Sequence, residues 1–173
     1  MIRRGFTIVE LIITITIMGI LLTLAVVNVG TTQLKSRDNE RKGDVEAIAT
    51  ALESFYSIGG NNPLGLGRYP STGLTNPGNV VLNLRDVDLK SFTAPGVASA
   101  DLTFIPSTNT GTDKSIQTTA NVQPQPTIGQ YVYQPIKTDG SVCVSGDVDC
   151  RKYNIFYRLE IDNAVYKLTS KNQ

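Results

Sequence analysis

Glu10 is the residue whose position asks for chemistry. It sits about one turn inside an apolar run of about 24 residues, Phe6 to Val29, long enough for a helix to cross a bilayer. An acidic side chain at a bilayer centre costs about 2.5–3.5 kcal/mol on insertion scales, and such residues usually serve a function. In low dielectric a carboxylate needs a cationic partner. Just ahead of the run stand Arg3, Arg4 and Gly5. The two arginines favour a cytoplasmic N-terminus. The charges beyond the run are mixed: Lys35, Arg37, Arg41 and Lys42 alternate with Asp38, Glu40 and Asp44.

Other chemistry is sparse. The chain has no histidine, which removes the commonest general base and metal ligand. Its serines, aspartates and lysines show no nucleophile–base spacing, so no enzyme is expected. With 16 Lys+Arg against 15 Asp+Glu the net charge is +1, which argues against a broadly basic nucleic-acid surface. Cys143 and Cys150 are the two cysteines, and in an exported domain they are expected to form a disulfide. Closing so short a loop contributes at most about 2–3 kcal/mol. A structural metal site lacks further Cys or His ligands. Asp139, Asp147 and Asp149 lie near Gly140 and Gly146, which leaves calcium as a minority option, although their spacing fits no EF-hand pattern.

The elements that position these residues follow from pattern. The run from Phe6 to Val29 is rich in β-branched residues, yet in lipid an isolated span is helical because its backbone must bond to itself. Thr7, Thr14, Thr16 and Thr23 can return their hydroxyls to carbonyls a turn earlier. Gly19 marks either close helix packing or a place to unwind. From Lys35 to Asp44 the sequence is polar, with Asp38–Lys42 and Arg41–Asp44 at helical spacing, which predicts a solvated face. Val45, Ile48, Leu52 and Phe55 then form one apolar stripe. Residues 6–57 therefore read as one helix of roughly 75 Å, stopped by Gly59-Gly60. A Gly/Pro-rich loop follows to Asn79. Val80–Leu84 is expected as a short strand, and Asp86–Leu89 as strand or helical turn. Residues Ala94–Pro126 are expected as an irregular surface region with one or two short strands. Gln130–Gln134, Tyr153–Ile161 and Ala164–Thr169 predict three antiparallel strands, with turns at Asp139-Gly140 and Asp162-Asn163. The fold class is α+β: a long N-terminal helix whose C-terminal half packs on a small antiparallel sheet.

Arg3-Arg4-Gly5 followed by Phe6-Thr7-Ile8-Val9-Glu10-Leu11-Ile12 resembles the class III signal of type IV pilins and pseudopilins. Gly67-Arg68-Tyr69-Pro70-Ser71 resembles the segment after the long helix in many pseudopilins and related pilins. The resemblance implies a pilin fold, cleavage by a prepilin peptidase between Gly5 and Phe6, and N-methylation of Phe6. It also implies that Glu10 pairs with the new N-terminal amine, often a neighbouring subunit's, and so sets register during assembly. The domain boundaries it suggests are leader 1–5, membrane and filament-core helix half 6–29, amphipathic half 30–57 and β-rich head 58–173. Many pilins carry a proline further along this helix; none precedes Pro63 here. The implied partners are copies of the chain in a helical filament, the peptidase, a cytoplasmic assembly ATPase, a platform protein and, before assembly, membrane lipid. No cofactor is implied. Localisation would be the cytoplasmic membrane and then the cell surface. The alternatives are a pseudopilin of a secretion or competence system, and a monomeric membrane-anchored binding protein. An ordinary signal peptide fits less well, because its apolar core is usually about 7–15 residues long and precedes a small-residue cleavage site.

Overall fold

A computed structural model describes residues 5–60, 65–84, 87–97 and 103–172, without the side chains of 26–29 and 77. The leader residues 1–4 and Asp86 lie outside the described residues. Helix α1 runs unbroken over Ile8–Ile58, through Gly19 and Gly30. Gly59 and Gly60 end it at positive φ, 77° and 57°, where a side chain would be strained. The chain forms two units, one up to Ser36 and one from Arg37 onward.

In the second unit the expected stripe is the core. Val45, Ile48, Leu52 and Phe55 are buried and cluster with Tyr131, Tyr133, Tyr153 and Ile155 of a four-stranded sheet. Its strands are β1 (Phe104–Pro106), β2 (Tyr131–Lys137), β3 (Cys150–Arg158) and β4 (Val165–Thr169), in spatial order β1-β2-β3-β4. β2, β3 and β4 pair antiparallel as expected, and Asn163 makes the last turn at φ 53°. The sheet is nevertheless mixed, because β1 pairs parallel to β2. Parallel neighbours need a crossover of about a dozen residues or more, which the long segment 107–130 supplies.

Two expectations are corrected. Val80–Leu84 is not a strand: Pro77–Asn83 forms the short helix α2. Asn76 caps it, accepting from the Gly78 amide at 3.2 Å, and proline suits the first helical position. Val80 and Leu84 are buried four residues apart while Val81 and Leu82 are exposed, a helical rather than an alternating pattern. The segment 107–126 is also more than surface. It covers the second face of the sheet, where Val122 is buried with Val132 and Phe156.

A polar cluster lies under that cover. Gln134 is fully buried. Its amide donates towards Ser107 Oγ (3.3 Å), Asn109 Oδ1 (3.2 Å) and the Ile116 carbonyl (3.0 Å), and its carbonyl accepts from Asn154 at 3.1 Å. Among the described residues no buried side-chain N or O atom lacks a partner. An orphaned buried polar group costs about 1–3 kcal/mol. Gln134→Leu should therefore destabilise the head by about 2 kcal/mol despite adding apolar surface. Thermal unfolding measures this; an unchanged melting temperature would contradict it.

Candidate functional site

The first unit carries the N-terminal site. Thr7 sits just before α1, and its Oγ1 accepts from the Glu10 amide at 3.3 Å while its carbonyl accepts from Leu11 at 3.2 Å. A threonine followed three residues later by glutamate is the capping-box pattern. That pattern was open to view in Thr7-Ile8-Val9-Glu10; it gives the helix a defined start at Ile8, and the Thr7 hydroxyl caps the helix rather than returning to a carbonyl a turn earlier. Gly5, Phe6 and Glu10 fall together at this end, all exposed. Thr14, Thr16 and Thr23 donate to the Leu11, Ile12 and Ile20 carbonyls at 2.7–2.8 Å, so their hydroxyls are satisfied within the helix. The apolar side chains from Ile8 to Leu24 are exposed all round, and a Cβ at Gly19 would meet nothing within 4 Å. By length and composition α1 is able to cross a membrane.

The second unit holds a network of charges. Arg41 is 1 % exposed and Asp38 3 %. Arg41 binds Asp38 at 3.0 Å and Glu160 at 2.6 Å, and donates to the Ile128 (2.9 Å) and Pro95 (3.2 Å) carbonyls. Arg37 grips the same Glu160 with two parallel bonds, 2.8 and 2.7 Å. Asp38 accepts the Glu160 and Ile161 amides at 2.8 and 3.1 Å. The solvated face expected over Lys35–Asp44 is therefore corrected at Asp38 and Arg41. They pair with each other at i,i+3 and with the β3–β4 turn and the loops at Pro95 and Ile128, rather than with Lys42 and Asp44. The Arg37 hydrogen bond, with Arg41 adding to it, holds the Glu160 carboxyl down at about 2. Nearby, Asp44 accepts the Tyr131 phenol at 2.9 Å, and burial raises its pKa to about 6, with Glu40 pushing the same way.

Cys143 and Cys150 are joined, and both are fully buried. Their backbone carbonyls accept the Thr72 and Tyr69 amides, which anchors the Gly67–Ser71 segment. Tyr69 is buried, packs against Tyr56 and Tyr153, and donates to Glu53 at 2.9 Å. Asp139, Asp147 and Asp149 do not converge. Asp147 pairs with Lys137, Asp149 with Arg151, and Asp139 accepts from Ser141. Among the described residues no group of three metal-ligating side chains occurs.

Residues 1–26 match the model of the prokaryotic N-terminal methylation motif. Part of the chain is similar to a type IV pilin. Over 55 residues, 32% of its length, it is 43% identical to the type IV major pilin protein PilA of Myxococcus xanthus (strain DK1622). The match spans 25% of that relative's length. No solved structure matches the chain. The likeness to pilins thus rests on the methylation motif and the 55-residue match, and a long helix and a disulfide-bearing α+β head are consistent with it.

The pilin-like head has two opposed proton linkages. Glu160 is depressed when folded, so its stabilisation is present above the unfolded value of about 4.3 and is lost as pH falls through about 2. Asp44 is raised, so folding is favoured below about 4 and that advantage is lost as pH rises through about 6. Head stability should therefore peak near about pH 4, falling as pH drops towards about 2 and falling again as it rises through about 6. Asp44→Asn keeps an acceptor for Tyr131 and should flatten the upper limb, adding about 1 kcal/mol at neutral pH after allowance for solvent screening. Glu160→Gln leaves Arg41 short of charge and should cost about 3 kcal/mol. Melting temperatures of the full chain in neutral detergent across this pH range check both; parallel profiles for wild type and Asp44→Asn would contradict the first.

Proposed function

We propose that this chain is a structural subunit of a type IV pilus. The observation that carries the reading is the conjunction at the N-terminus: a methylation motif leads into a helix whose large apolar side chains from Ile8 to Leu24 are exposed. In water such a surface is strongly unfavourable, at about 25 cal/mol per Å². Lipid offers one place to bury it, and a bundle of identical helices offers another. A prepilin peptidase removes residues 1–5 between Gly5 and Phe6 and methylates Phe6. The new amine and Glu10 lie at one end of the helix and neutralise one another, within a subunit or between neighbours. The pair sets the register of an incoming subunit.

Before assembly the chain spans the cytoplasmic membrane with its N-terminus inside; afterwards it forms a cell-surface fibre with the heads outward. Association within lipid lacks a large hydrophobic gain, so extraction needs work, which a cytoplasmic ATPase and a platform protein supply. The role is structural, with no catalytic step and no cofactor. The segment Gly67–Ser71 keeps a pseudopilin of a secretion or competence machine as the second reading. Long fibres of this subunit on native cells favour the pilin, and their absence favours the pseudopilin.

Mass spectrometry of the chain from cells with an active prepilin peptidase should find methylated Phe6 at the N-terminus; an intact Met1 terminus would overturn the proposal. Glu10→Ala should leave membrane insertion intact and abolish or sharply reduce fibres counted by electron microscopy. Normal fibre numbers would remove the register role.

A further inference from the structure

The sheet face turned away from the α1 stripe carries a cleft of about 200 Å³. It lies where β3 and β4 run beside the end of the covering segment, and Lys152, Lys167, Asn154, Thr169, Gln117 and Ser170 line it. Strand alternation explains the gathering. Asn154 pairs with Thr169 and Phe156 with Lys167, so Lys152, Asn154, Lys167 and Thr169 share the face of Phe156. The floor is rigid. Asn154 and Ser170 are buried, Asn154 donates to Gln134, and Ser170 Oγ accepts the Tyr153 amide while donating to the Asn172 carbonyl. Lys167 is held at the rim by the Gln117 carbonyl, 3.1 Å from Nζ.

No carboxylate lines this cleft, and neither lysine has an acidic partner among the described residues. Arg37, Arg41, Lys90, Lys137 and Arg151 pair with acids elsewhere in the head while other cations do not, so what sets these two lysines apart is that they line one cleft together. Two exposed lysines and exposed Thr169 border one concave, polar site; Lys167 gives one of its three ammonium donors to the Gln117 carbonyl, and no carboxylate lines the cleft to take the others. The geometry points to a binding site for a single small oxyanion, either free phosphate or the carboxylate of a uronic acid. Charge-assisted bonds from the two ammonium groups hold it, and Thr169 adds a neutral donor. The near-neutral net charge of the whole chain means that binding depends on this local pair rather than on a general positive field.

The test is isothermal titration of the full chain in neutral detergent with inorganic phosphate and, separately, with sodium glucuronate. Saturable one-site binding of either anion is expected, and which one binds identifies the source. Lys152→Gln with Lys167→Gln should weaken it roughly tenfold or more. Lys42→Gln, an exposed lysine on α1, removes one charge elsewhere and should leave affinity unchanged. An unshifted melting temperature shows that the double variant is folded, and the wild-type titration decides the question even if it is not. Absence of saturable binding to both anions, or an equal loss in Lys42→Gln, would overturn the site.

Discussion

Arg41 places a full positive charge in the interior of the head, and the surrounding structure is organised to meet it. An isolated buried ion is costly by several kcal/mol even after relaxation. Here the guanidinium touches two carboxylates and two carbonyls, while Arg37 balances the second carboxylate. The network joins residues 37–41 of the helix to the β3–β4 turn and to the loops at Pro95 and Ile128. Apolar packing along Val45–Phe55 is tolerant of small slips. A forked, two-sided charge contact is not, because every lone pair and proton has an assigned direction. The network therefore defines where the turn and loops meet the helix, and the apolar stripe supplies most of the burial.

The two units solve opposite problems. From Arg37 onward the chain satisfies itself: the stripe is covered, the second face of the sheet is covered, and even fully buried Gln134 has its bonds. The first unit satisfies only its backbone and its threonines. Its large apolar side chains from Ile8 to Leu24 are exposed, so burying them takes surroundings from outside that unit; in the proposed function these are first lipid and then copies of the chain. Thr7 adds a fixed helix start at the end that also carries Phe6 and Glu10.

How much of this was legible in the sequence depended on distance along the chain. The methylation segment is linear and ordered, so Gly5, Phe6 and Glu10 stood out at once. The stripe, the helix stop at Gly59-Gly60 and the three antiparallel strands are periodic or local signals, and they hold. Glu160 lies more than a hundred residues from Arg37 and Arg41, and no local rule finds it. The helical-spacing rule instead paired Asp38 with Lys42 and Arg41 with Asp44, as on an exposed surface. α2 was missed because the β-branched pair Val80-Val81 outweighed the Asn76-Pro77 start signal. The cover over Gln134 was hidden in a segment whose polar composition resembles a solvent loop; its polarity is used inward.

Helical reconstruction of fibres from cells expressing this chain tests the central claim most directly. The expected map has α1 of every subunit bundled along the fibre axis, density beginning at Phe6, and Glu10 facing an N-terminal amine, with the heads outside. A fibre whose axis excludes α1, or a chain found only as membrane-bound monomers with residues 1–5 still attached, would contradict it.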